Sequence, residues 1–160
     1  MRIEKAKNID NIEISVLTAR SKAHWNYSSE QIEKWKDDLT ISSEYIDKNE
    51  VYKLKEGDKL IGYYSFKEAD NKKVKLDNIF IDPEFIGRGY GKILMNHFFK
   101  QVKNKEFEYI YLDSDPNAEK FYQNLGFKVV GQLESSIKNR FLPIMELEIE
   151  QISTLWKNAL

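Results

Sequence analysis

Gly87, Gly89 and Gly91 stand at alternate positions, with Arg88 and Tyr90 interleaved and Lys92 following. They are three of the seven glycines in a chain of 160 residues. Glycine reaches backbone angles closed to other residues and lets N–H groups come close to a ligand. Before them, residues 76–81, which include Ile79, Phe80 and Ile81, read as a strand that stops ahead of Pro83, whose nitrogen cannot donate to a sheet. Beyond them, Ile93, Leu94, Phe98 and Val102 recur at helical spacing. A glycine turn opening a helix presents unpaired amides and the positive end of the helix dipole, a site for an anion and above all for phosphate. Arg88 and Lys92 are placed to add charge.

Two phosphate-binding patterns fail on spacing. A P-loop needs Ser or Thr after its Gly-Lys and an earlier glycine where Ile86 stands, but Ile93 follows Lys92. A dinucleotide fingerprint needs its third glycine where Lys92 stands. Cysteine is absent, which removes thiol nucleophiles, disulfides and thiolate metal sites. His24 and His97 are the only imidazoles, and no metal is expected.

The run Ile86-Gly87-Arg88-Gly89-Tyr90-Gly91 resembles the acetyl-CoA-binding motif of the GNAT (GCN5-related N-acetyltransferase) superfamily, Gln/Arg-x-x-Gly-x-Gly/Ala, with Ile86 in the first place. A second run, from Asn117 and Ala118 to Phe121-Tyr122 and Gly126-Phe127, is similar to the other signature of that superfamily. The resemblance implies transfer of the acetyl group of acetyl-CoA to a primary amine by direct attack. It implies that the amides around Gly87 to Lys92 cradle the pyrophosphate, and that the backbone of Ile79, Phe80 and Ile81 pairs with the pantetheine arm. Tyr122 is then the acid that protonates the departing thiolate, and Asn117 a pantetheine contact; the bland alternative for Tyr122 is a core aromatic. A rival of another class is a domain that binds acyl-CoA as a sensor without catalysis, and retention of Tyr122 favours the enzyme.

The acceptor amine must lose a proton, because an alkylammonium titrates near ~10.4. Where some superfamily members carry a Glu on the central strand, this chain carries Lys75. Asp77, two residues on and on the same strand face, is the candidate base or ammonium anchor, with a plain surface carboxylate or a water base as alternatives. His24, Trp25 and Tyr27 at a helix junction are candidates to line an acceptor pocket, or else a packed corner. Arg140 lies in a stretch resembling an Arg-x-Leu-Pro-x-Met loop that closes the site in one bacterial branch; a solvated loop cation is the alternative. His97 faces away from the apolar stripe of its helix and reads as surface.

These residues need elements to hold them. A first strand over residues 2–7 leads to a helix capped by Asn8 or Asp10 with Ile12, Val16, Ala19 and Ala23 inward. A second helix starts at Ser28, with Gln31 completing a capping box. Residues 50–55 and 59–67 form a hairpin that feeds the strand before the glycines. Residues 109–112 are a strand parallel to that one, Asp115-Pro116 opens a helix through Tyr122 that stops at Gly126, and residues 127–133 and 141–149 are a last antiparallel pair. The expected fold is mixed α/β: a mostly antiparallel sheet with a V-shaped splay between two parallel strands and helices on both faces. Residues 1–150 are expected to be one domain, and 151–160 a tail of uncertain structure.

Composition bounds the partners. Lysine and arginine number 25 against 26 acidic residues, which argues against nucleic acid. No apolar run approaches the ~20 residues of a membrane span, and the start lacks the apolar core of a signal peptide. A cytoplasmic enzyme is expected, acting on a small-molecule or peptide amine, with a homodimer left open.

Overall fold

The computed structural model describes residues 1–157, with side chains described through residue 153. Seven strands form one sheet in the order β1-β2-β3-β4-β5-β7-β6. Its contacts divide into two units: Met1–Phe66 with Asn78–Phe98, and Lys67–Asp77 with the chain from Phe99 onward. Strands β3 (Lys59–Glu68) and β4 (Lys73–Ile81) contribute residues to both.

The first unit begins with β1 (Arg2–Lys5), antiparallel to β2 (Glu50–Glu56), which in turn pairs antiparallel with β3. Between β1 and β2 lie α1 (Asn11–Ala23), α2 (Ser29–Lys34), α3 (Lys36–Leu39) and α4 (Ser43–Lys48). The Ser28 hydroxyl accepts from the Gln31 amide as the capping pattern requires. The expected second helix, however, breaks at Trp35, and α4 was not anticipated, because a six-residue helix offers too few turns for periodicity to register.

Helix α1 turns a different face inward from the one expected. Ile14, Leu17, Thr18 and Ser21 are buried, whereas Ile12 and Val16 are 71% and 54% exposed. The reason is that a hydroxyl can be buried once it is bonded. Thr18 Oγ1 donates to the Ile14 carbonyl at 2.7 Å and lies 2.7 Å from the Tyr63 hydroxyl. Tyr63 belongs to the core of this unit with Ile14, Leu17, Ile41, Ile46 and Val51.

Residues 61–66 of β3 are all buried, the mark of a strand covered on both faces. Gly62 permits a close approach there: a Cβ would stand 2.6 Å from the Phe80 carbonyl oxygen and 2.7 Å from Ile81 Cδ1. Helix α5 (Tyr90–Lys103) buries Leu94, Met95 and Phe98 completely, and Phe98 meets the rings of Tyr64 and Phe66 at 5.6 and 5.3 Å. His97 is not plain surface: its Nδ1 lies 2.7 Å from the Tyr64 hydroxyl, and its ring is 5.1 Å from that of Tyr52.

In the second unit, β5 (Tyr109–Asp113) runs parallel to β4 through Lys73↔Tyr109, Val74↔Ile110 and Lys75↔Tyr111. Pairing ends there although both strands continue, which is the expected splay. Strand β7 (Phe141–Glu148) lies antiparallel to β5 and to β6 (Lys128–Glu134), which forms the sheet edge. Alternate residues Ile110, Leu112, Met145 and Leu147 are buried, as a period of two demands. Helix α6 (Glu119–Asn124) ends at Gly126, whose φ of +97° suits glycine alone. Helix α7 (Ile149–Lys157) takes up most of the tail left uncertain; its last three residues, 158–160, lie outside the described residues. Among the described residues no helix is long and apolar enough to cross a membrane.

Candidate active site

The glycine turn hangs from Asp82, which is 3% exposed. The Asp82 amide donates to the Ile61 carbonyl at 2.8 Å, its carboxylate caps the following 3-10 turn by accepting from the Glu84 amide at 3.0 Å, and Arg20 Nη1 donates to it at 2.7 Å. The end of β4 is thereby fixed to β3 and to α1. Phe85 then serves as a platform: the Tyr90 ring meets it edge-on at 5.8 Å, and the Arg88 guanidinium lies 5.3 Å from its centre.

Gly87 and Gly89 hold φ of +82° and +84°, and nothing lies within 4 Å of where a Cβ would stand. Backbone conformation, not crowding, therefore calls for glycine at both places. The Ile93 amide donates back to the Gly89 carbonyl at 3.2 Å, so the glycine turn runs directly into the first turn of α5, where helix amides point toward the N-terminus. Gly87, Arg88, Gly89 and Lys92 are exposed. An exposed glycine turn at a helix start, with Arg88 and Lys92 in it, fits a pyrophosphate. Ile86 adds no polar group to them.

Ile79, Phe80 and Ile81 are half-buried, and the Phe80 ring stacks on Tyr63 at 5.9 Å, which leaves the backbone as the part of Phe80 able to serve a coenzyme. Beside them Asn78 Nδ2 donates to Ser65 Oγ at 2.9 Å, and the Tyr45 hydroxyl lies 2.8 Å from the same Oγ.

The expected acceptor cluster divides. Tyr27 packs edge-on against Trp35 at 4.8 Å, with the Lys22 ammonium 5.2 and 5.1 Å from the two rings. His24 and Trp25 stay exposed, with their rings 5.2 Å apart.

In the second unit, Asn117 and Arg140 bond to Asp115, a residue that sequence reasoning recognised only as a helix cap, and Tyr122 follows on the next helix. Tyr122 is 7% exposed and lies edge-on to Phe121 and Phe127 at 5.2 and 5.7 Å. Its hydroxyl has no hydrogen-bond partner among the described residues. Burial, and then the Asp115 charge, push the phenol above its ordinary range. Asn117 donates to Asp115 Oδ1 through both its amide and its side chain, each at 2.9 Å. Arg140 Nη2 donates to Asp115 Oδ2 at 3.2 Å, with both side chains 18% exposed, so Arg140 is no solvated loop cation.

Asp77 belongs to a separate charge ladder, 3.5 Å from the Lys67 ammonium and 3.7 Å from that of Lys75. Lys75 also contacts Asp113 at 3.1 Å. Burial alone would lower the Lys75 pKa, but the Asp113 hydrogen bond with the charges of Asp113 and Asp77 raises it above the usual lysine range. Asp77 thus stands between two lysine ammonium groups, of which that of Lys75 is held protonated above the usual lysine range. An open cavity of about 530 Å³ also lies in this unit, lined by Glu68, Asp70, Lys73, Tyr111 and Glu146 among others. Among the described residues no three His, Asp or Glu side chains gather as a metal site.

A family model for the acetyltransferase (GNAT) domain matches residues 24–149. The uncharacterised N-acetyltransferase ycf52 of Gracilaria tenuistipitata var. liui is 28% identical over 89 residues, 56% of this chain and 49% of that protein. The chain spans about half the length, or less, of the curated relatives it matches. Its fold is similar to that of a GCN5-related N-acetyltransferase from Rhodopseudomonas palustris, with a TM-score of 0.77 at 17% identity over 92% of this chain and 94% of that one. It is also similar to the PaiA N-acetyltransferase of Thermoplasma acidophilum, solved with coenzyme A, with a TM-score of 0.75 at 23% identity over 92% and 98% of the two chains. With the splayed parallel strands, the glycine turn and the match over most of its length, the chain belongs to the GNAT acetyltransferase family.

Proposed function

We infer that the protein is an enzyme that moves the acetyl group of acetyl-CoA to a primary amine, with residues 1–150 acting as one N-acetyltransferase domain in the cytoplasm. The observation that carries this reading is the exposed glycine turn at the start of α5, with Gly87 and Gly89 at φ of +82° and +84° and Arg88 beside it, in a chain matched by an acetyltransferase family model over residues 24–149. Tyr122, on the helix that follows the Asp115 cap, is the residue that separates an enzyme from a module that only binds acyl-CoA.

Acetyl-CoA supplies the acetyl group as a thioester, already activated toward amines. The residues of the chain do the rest. The amides of Tyr90, Gly91 and Lys92, with the Arg88 and Lys92 cations, hold the pyrophosphate; the backbone of Ile79 to Ile81 and the Asn117 side chain align the pantetheine arm. A backbone N–H of that strand polarises the thioester carbonyl. The amine forms its bond to the carbonyl carbon as the carbon–sulfur bond breaks, and Tyr122 gives its proton to the departing sulfur. Asp77, ion-paired with Lys67 and Lys75, is the carboxylate of this strand placed to anchor or deprotonate the incoming ammonium, with water as the other base.

Calorimetric titration with acetyl-CoA, CoA and ADP, followed by a panel of acceptor amines read by thiol release, tests this reading. It expects acetyl-CoA to bind more tightly than ADP and at least one amine to accelerate thiol release. ADP binding as tightly as acetyl-CoA, with no amine accelerating release, would overturn it.

A further inference from the structure

The Asp115 carboxylate divides its two oxygens between two tasks. Oδ1 holds the turn Pro116–Ala118 by accepting from the Asn117 amide and from Asn117 Nδ2. Oδ2 accepts from Arg140, which arrives from the β6–β7 connection. That connection is itself held closed: Ser135 donates from its amide to the Arg140 carbonyl at 3.0 Å, the Arg140 amide donates to Ile137 at 3.1 Å, and Asn139 takes a φ of +63°. On the other side, the Ser114 amide donates to the Pro143 carbonyl at 2.8 Å, so β7 grips the residue before Asp115 as well. The turn leads directly into α6, which carries Tyr122.

We propose that Arg140 is a positioning residue: through Asp115 it fixes the turn bearing Asn117 and the start of the helix bearing Tyr122, and so sets the coenzyme arm and the proton donor together rather than binding the acceptor. This rests on the acetyltransferase reading above. An arginine is suited to the role, because its planar fork holds a carboxylate in one orientation. Its charge also offsets that of Asp115, which faces Tyr122 electrostatically. A loop cation that recognised acceptors would instead have its guanidinium turned toward them.

The test uses the full chain as wild type, Arg140→Gln, Arg140→Lys, Asp115→Asn and the Arg140→Gln/Asp115→Asn double variant. Asparagine keeps the helix cap while removing the charge partner. Acetyl-CoA affinity is read by calorimetry, and kcat and acceptor KM by thiol release with n-butylamine, free lysine and alanine amide. Arg140→Gln is expected to weaken acetyl-CoA binding and lower kcat by about tenfold each, with acceptor KM within about twofold, and Arg140→Lys to recover part of both. In the Asp115→Asn background, Arg140→Gln should add less than about twofold. A raised acceptor KM with unchanged acetyl-CoA affinity, losses that multiply fully in the double variant, or no loss in Arg140→Gln would each overturn the proposal. If none of the three amines turns over, the affinity cycle alone decides it. Wild type failing to bind acetyl-CoA would instead sink the acetyltransferase reading and this inference with it.

Discussion

Tyr122 keeps its proton because its ring is packed among Phe121 and Phe127 while Asp115 adds a negative charge nearby. Both effects disfavour the phenolate, so the folded pKa is raised and the acid form persists through neutral and moderately alkaline solution. The pH dependence follows with a definite sign. With saturating acceptor, kcat should rise as the bound amine loses its proton and should show no falling limb below about pH 10, the ordinary phenol value. A descending limb centred near pH 8 would assign the proton donor to another group. At the same scale, Asp115 shows why residue roles are read incompletely from type alone. The Asp-Pro pair at 115–116 announced a helix cap, and the structure has that cap, with the Asp115 side chain accepting from the Asn117 amide. Nothing in sequence spacing joined it to Arg140, which lies 25 residues away and meets it only through the β6–β7 hairpin.

On the proposed acetyltransferase reading, coenzyme binding depends on the glycine turn. Gly89→Ala places a side chain at φ +84°, where left-handed backbone costs about 1–2 kcal/mol, yet meets no neighbour. The protein should fold, with acetyl-CoA affinity lowered about tenfold as the turn relaxes away from the amide geometry that holds phosphate; calorimetry and urea melts measure the two effects separately. Elements of this kind were the most legible. The β2–β3 hairpin, the strand before the glycines, α5 and the Asp-Pro helix start all carry local signals, and the structure has them. Less legible was anything decided by polar burial or by short segments. The inward face of α1 depends on Thr18 bonding to Tyr63, a contact between residues 45 positions apart. His97 looked like surface because its partner, Tyr64, lies on another strand. Of the expected site residues, Asn117 and Arg140 converge on one carboxylate whose charge Tyr122 feels, whereas Asp77 joins a lysine ladder that strand alternation hinted at through Lys75 but could not reveal.

For the molecule as a whole, stability in acid depends on Lys53, whose side chain is 8% exposed and lies 2.8 Å from Asp10, 3.5 Å from Glu4 and 3.6 Å from Glu13. Burial works against the Asp10 carboxylate, but the Lys53 hydrogen bond and charge, with the Lys7 amide, outweigh it and hold its pKa below the ordinary aspartate range. A depressed folded pKa means stabilisation that is complete above the unfolded value and is lost as pH falls through the folded one. Lys53→Met should therefore lower stability on the order of 3 kcal/mol at pH 7 and by clearly less at pH 2–3, where the carboxylates are protonated in both proteins. Denaturant melts at the two pH values check this. The edges of the sheet are unlike each other: β1 ends it with charged residues, while β6 carries exposed Val129, Val130 and Leu133. The central claim concerns acetyl transfer with Tyr122 as acid, and its most direct measurement is thiol release from acetyl-CoA with the best acceptor amine, comparing wild type with Tyr122→Phe. The predicted result is a fall in kcat of about a hundredfold with acetyl-CoA affinity unchanged within about twofold. A Tyr122→Phe enzyme that turns over at the wild-type rate would contradict it.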